Sequence, residues 1–171
     1  MRRLAGSALL VVIALSGTAA LACGDKLLAI GRGLRFQRPD AAQGANLVIY
    51  TAGPQSGAGL SNSKLHSTLR RTVRKLQLVQ DGSQLDEALK SGGVDVVLVN
   101  FADLAGITRQ LESASSKPVI LPILAKPSKA AFAAAQKEYK LALKSTADDF
   151  EYLMAIDEAM KLKLKTSAKK A

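Results

Sequence analysis

Hydrophobic and polar positions along the 171-residue chain alternate between two periods. Val94–Asn100, read Val-Asp-Val-Val-Leu-Val-Asn, is a β-branched apolar run that follows Gly92-Gly93 and ends on a polar residue. Such a run suits a strand buried on both faces, the centre of a parallel sheet. Parallel sheets gather ligands at the carboxyl ends of their strands, which makes Asn100 the position of most interest. Asn46–Tyr50 reads as the first strand, Leu76–Val79 as the second and Val119–Leu124 as the fourth. Pro122 interrupts the fourth, because proline removes a ladder donor. Lys140–Lys144 is short and alternating, as an edge strand should be.

Between these runs the apolar spacing lengthens to that of helices. Ser61 reads as the N-cap of a helix to about Lys75, with Leu65, Leu69 and Val73 facing inward. Ser83, with Asp86 in the reciprocal position, opens a second helix with Leu85, Ala88 and Leu89 inward, and Gly92-Gly93 stops it. Asp103 begins a third, with Leu104, Ile107 and Leu111 inside. Ser128 caps an Ala-rich helix through Tyr139. The last starts near Thr146 and carries Phe150, Leu153, Met154, Asp157, Met160 and Leu164 roughly along one side. Five β-α repeats with connections too long for hairpins predict an α/β fold. The expected architecture is a doubly wound, parallel five-stranded sheet in three layers with right-handed crossovers, spanning 46–165.

The first 22 residues change the picture of where this domain works. Arg2 and Arg3 precede a short apolar core, Leu9–Leu15, and Ala20-Leu21-Ala22 is a small-x-small cleavage site. This pattern is that of a secretory signal, with cleavage near Ala22 and a periplasmic or secreted product. Ser16-Gly17-Thr18 keeps the apolar run short for a membrane span. Cys23 is the only cysteine, so it forms no intramolecular disulfide. As the first mature residue it is a candidate lipidation site, although Ala20 stands where a lipoprotein signal usually has Leu; a free thiol is the alternative. Residues 23–45 read as a lead-in arm or tether in which Arg32, Arg35 and Arg38 recur every three residues. Residues 166–171 read as a basic tail.

Loss of the leader's two arginines lowers the net charge from +10 to +8. The basic excess concentrates on the outer face of the first helix, at Lys64, Arg70, Arg71, Arg74 and Lys75, with His66 nearby. That face suits an acidic protein surface or anionic lipid headgroups. The chain has no Trp and few aromatics, which argues against a stacking surface for nucleic acid.

The element order, the length and the third strand resemble the receiver domain of bacterial response regulators, a flavodoxin-like fold. In that family the phosphate-accepting Asp ends strand three, five residues after an Asp that opens it. Here Asp95 opens the strand and Asn100 holds the acceptor place. The acidic pair that the resemblance implies after strand one is replaced by Tyr50, Thr51 and Ala52. Leu124 and Ala125 stand where a Ser or Thr is expected after strand four, and Lys144 matches the family's lysine at the end of strand five. An amide is a poor nucleophile, and phosphoryl transfer to a side chain needs a carboxylate and a divalent cation held by oxygen anions. The resemblance therefore implies a degenerate receiver site at Asn100, Lys144 and Thr51, with no catalysis, cofactor or metal. It leads us to expect a non-phosphorylated interaction domain at the bacterial envelope, with a partner protein there that the sequence does not specify.

Two other readings stay open. The Gly-rich stretch Thr51–Gly59 joins a strand to a helix, so Gly57, Gly59 and Ser61, with Lys144, could hold an anionic small molecule. It matches neither of the two common phosphate-loop patterns, and an exposed turn is the simpler account. Alternatively the protein is lipid-anchored through Cys23 and uses its basic patch against the membrane surface. Ser61 and Lys64 have the Ser-x-x-Lys spacing of penicillin-binding enzymes, without the Ser-Asp-Asn or Lys-Thr-Gly segments that would accompany it. His66 is the only histidine, which rules out a His-rich metal cluster.

Overall fold

The computed structural model describes residues 39–52 and 57–168. The expected signal segment, Cys23, Arg32, Arg35 and Arg38 lie outside the described residues, as do 169–171. The five strands are β1 (Asn46–Tyr50), β2 (Lys75–Val79), β3 (Val96–Asn100), β4 (Val119–Leu124) and β5 (Leu143–Lys144). All pair in parallel, in the order β2-β1-β3-β4-β5. This is the flavodoxin-like arrangement, and β3 occupies the centre as its apolar run predicts. All five of its residues are buried.

The helices are α1 (Asp40–Gln43), α2 (Gly57–Leu60), α3 (Ser63–Thr72), α4 (Gly82–Lys90), α5 (Leu104–Ser113), α6 (Lys129–Tyr139) and α7 (Asp149–Ala168). One sheet face buries Leu47, Ile49, Leu98, Leu121 and Ile123 against α1, α3 and α7. The other buries Val48, Tyr50, Val97 and Val99 against α4 and α5, and Leu124 meets Ala135 and Phe132 of α6. Alternation along each strand divides these two cores, giving three layers. Burying this apolar area is the main drive to fold.

Several boundaries differ from the sequence expectation, each for a local reason. Of the helix expected from Ser61 to about Lys75, only Ser63–Thr72 forms, as α3, and the single turn α2 precedes it. Asn62, not Ser61, caps α3: its backbone is extended and its Oδ1 accepts from the Lys64 N–H at 2.9 Å. Val73 is already extended, and Lys75 opens β2 opposite Asn46. Asp81, not Ser83, caps α4, accepting from the Gln84 N–H at 2.8 Å and the Ser83 hydroxyl at 2.6 Å. The hydrogen bond from Ser83 and then that from Gln84 hold the Asp81 carboxyl below its usual range. Asp103 does not cap α5 with its side chain, because a 3-10 turn over Phe101–Asp103 intervenes.

The last helix begins at Asp149, not near Thr146. Asp148 accepts from the Glu151 N–H at 2.8 Å while Glu151 accepts from the Asp148 N–H at 3.1 Å, a reciprocal capping box. β5 shrinks to two residues, because Lys140 has φ +65° at the end of α6. Pro122 is accommodated by that short edge. Val119 sends its N–H to Asp95 on the β3 side, so alternate residues place the Pro122 nitrogen toward β5, which pairs only with Ile123 and Leu124.

Residues of the expected lead-in join the packing, and the expected tail extends the last helix as exposed residues. Ala42 and Ala45 are fully buried in the α7-side core, and α7 continues through Ala168. Asp157 of α7, 1% exposed, accepts from the Ala41 N–H at 2.8 Å and pairs with Lys161 at 2.6 Å. At the amino edge of the sheet, Asp95 accepts from Asn46 N–H and Asn46 Nδ2 at 2.9 and 3.1 Å, and from Lys163 Nζ at 2.6 Å. Lys161 and Lys163 of the basic carboxyl-terminal stretch are thus engaged within the fold.

Candidate functional site

The carboxyl edge of a doubly wound sheet is its usual ligand face, and the candidate receiver site lies there. β3 delivers Asn100, which is 6% exposed. Its Oδ1 accepts from the Ala102 N–H at 3.0 Å, so the amide caps the 3-10 turn that follows. Thr51 directly follows β1. Its N–H and its hydroxyl both donate to the Val79 carbonyl, at 2.8 and 3.3 Å, fastening β1 to β2.

Lys144 belongs to the other side of the sheet. Leu143, one residue earlier, packs on the α7-side core, which also takes Leu98, two residues before Asn100. Alternation sends Lys144 toward α6, where its Nζ stands 5.3 Å from the Phe132 ring centre. The geometry supports a cation–π contact. Thr51 and Asn100 share one face by the same alternation, and Lys144 lies on the opposite one.

Residues 57–60, the single turn α2, reach this edge. Leu60 is fully buried in the α7-side core, and His66 Nε2 donates to the Leu60 carbonyl, tying α3 to α2. Gly59 has φ +103°, and a Cβ there would stand 2.9 Å from the Ser145 carbonyl oxygen. The main chain after β1 therefore touches the loop after β5. Of the residues read as an anion loop, Gly59 is held by this close approach and Ser61 is exposed between α2 and α3. Gly57 opens α2.

Across the sheet, Tyr50 is buried on the α4–α5 side, and its hydroxyl pKa is raised by burial first and then by Asp103 and Asp81. The sequence reading overlooked Asp81 as part of this edge, although Asp81-Gly82-Ser83-Gln84 carries a capping signature that could have found it. The donor set does not fit the divalent cation of a receiver. Among the described residues no three His, Cys, Asp or Glu side chains stand together to hold a metal ion, and one Asp81 oxygen already receives two hydrogen bonds.

The basic residues are all exposed, but they do not share one helix. Lys64, Arg70 and Arg71 belong to α3, Arg74 follows it, and Lys75 lies on β2. Thr68 donates to Asp149 of α7 at 3.0 Å, which fixes the flank of α3 that faces inward. At 100° per residue, Arg70 lies on the opposite flank, over the outer edge of β2. Arg70, Arg74 and Lys75 thus gather around that edge. Among the described residues no helix is long and apolar enough to cross a membrane.

No protein-family model matches the chain, nor does any curated protein or solved structure. The fold and the geometry alone carry the functional reading.

Proposed function

We propose that the protein is an exported, receiver-like interaction domain that has no phosphotransfer chemistry and binds a partner protein at the bacterial envelope. The observation that carries this reading is Asn100. At the position of a receiver's phosphate acceptor stands a buried amide whose oxygen caps its own chain. Lys144, which would neutralise a phosphoryl group there, points to the opposite face against Phe132. With the chemistry of that edge replaced by packing, binding falls to the exposed surface, where the basic cluster of Arg70, Arg71, Arg74 and Lys75 is the strongest feature.

Incubation with acetyl phosphate and Mg²⁺ followed by intact-mass spectrometry tests the first half of the proposal. An unchanged mass is expected. A species heavier by one phosphoryl group would refute it.

A further inference from the structure

We infer that the outer edge of β2 is a docking strand for an extended, acidic segment of a partner protein. The inference rests on the interaction-domain reading and names the chemistry of the partner. β2 is the terminal strand on one side of the sheet, and no described residue pairs with its outer side. Its inward bonds are identifiable. Lys75 N–H donates to the Ala45 carbonyl at 3.3 Å, and the Val79 carbonyl accepts from Thr51 N–H at 2.8 Å. In a parallel strand alternate residues bond to alternate sides. Lys75, Gln77 and Val79 therefore face β1, while Leu76 and Leu78 turn their N–H and C=O groups outward. These are the groups to which an incoming strand would bond.

The surroundings suit a side chain as well as a backbone. A groove of about 420 Å³ runs between β2 and α4, lined by Lys75, Gln77, Leu78, Gln84, Glu87 and Ala88. Leu78 is 38% exposed; its side chain shares the α3 face with Leu76, an apolar contact for an extended chain on the other face of the edge. The edge is bounded at its carboxyl end, where the Gln80 N–H is taken by Gln84 Oε1 at 3.0 Å. Its amino end is basic, with Arg74 and Lys75 exposed there and Arg70 on the adjoining flank of α3.

Charge decides between occupants. A second copy pairing antiparallel through β2 would set the basic amino end of each copy against the carboxyl end of the other. There Asp81 already accepts from Ser83 and Gln84, which leaves the excess of Arg70, Arg74 and Lys75 unneutralised. An acidic segment would neutralise them. Lysine at an exposed edge also guards against indiscriminate strand pairing, and that guard discriminates in favour of a negatively charged strand.

The test uses the full chain and labelled eight-residue peptides: alternating Val and Glu, alternating Val and Lys, and the acidic peptide with a central Pro. Binding is read by fluorescence anisotropy, and amide exchange at Leu76 and Leu78 by mass spectrometry. The acidic peptide is expected to bind about tenfold or more tightly than either control and to slow exchange at both leucines. Leu78→Pro removes one outward donor at a position where edge strands tolerate proline, and it should weaken binding about tenfold. Should that variant fail to fold, Arg74→Glu with Lys75→Glu should produce a similar loss.

Absence of binding, or binding with unchanged exchange at Leu76 and Leu78, would overturn the docking strand. Neither result bears on partner retention in an envelope extract, so the interaction-domain reading stands or falls separately.

Discussion

Gly59 lies against Ser145, close enough that a Cβ on Gly59 would stand 2.9 Å from the Ser145 carbonyl oxygen. The two residues follow β1 and β5, which are separated in the sheet by β3 and β4. One backbone contact therefore spans the carboxyl edge beside the buried Asn100. Gly59→Ala meets both a positive φ of +103° and a main-chain clash. It should destabilise the fold by about 1–3 kcal/mol, measured by urea unfolding. Wild-type stability in that variant would mean that the two loops do not meet.

Asp95 anchors the opposite edge. Its carboxylate receives the main-chain and side-chain nitrogens of Asn46 and the ammonium of Lys163. Asp95→Ala strips three donors of their acceptor and should cost about 2 kcal/mol or more. Lys163→Met should cost less, about 1 kcal/mol, because the pair keeps some access to water. Chemical denaturation of both variants checks the order, and equal costs would contradict the assignment of Asp95 as the hub.

Tyr152 predicts an alkaline weakness. Its side chain is 2% exposed, its hydroxyl has no partner among the described residues, and burial pushes its pKa up to about 12. An unfolded tyrosine ionises near pH 10. Between about pH 10 and 12 the unfolded chain has therefore released a proton that the folded chain retains, and stability falls as pH rises. The loss is on the order of 2–3 kcal/mol. Lys161, whose pKa is raised chiefly by its hydrogen bond to Asp157, adds to the same trend. Tyr152→Phe should flatten part of the decline and leave stability at pH 7 unchanged or higher by up to about 1 kcal/mol. Thermal unfolding across pH 7–12 measures both.

The sheet was legible in the sequence because its strands are apolar runs punctuated by Gly, Pro and caps. Asn46–Tyr50 and Val119–Leu124 fall where the pattern puts them. The caps were less legible. Ser61-Asn62, Asp81 with Ser83, and Thr146 with Asp148 each offer neighbouring side chains able to cap, and only the backbone geometry selects one. Lys144 shows the limit of reading a site from spacing. In Leu141-Ala142-Leu143-Lys144 a shift of one residue reverses which side chain meets the core. The two-residue strand places Leu143 against the α7-side core and Lys144 opposite Asn100. Asp95 was visible as the polar residue just before the apolar run of β3, but its bonds to Asn46 and Lys163 join positions 49 and 68 residues away, a relation no local pattern carries.

The most direct measurement is affinity capture from an envelope extract with the immobilised full chain, at low and high salt, beside the variant carrying Arg70→Ala, Arg71→Ala and Arg74→Ala. Salt screens exposed charges and leaves a packed interface largely intact. A specific interaction domain predicts one discrete protein retained at high salt by the wild type and depleted on the variant. Loss of all bound protein at high salt would contradict it and reduce the basic surface to one that recognises charge alone.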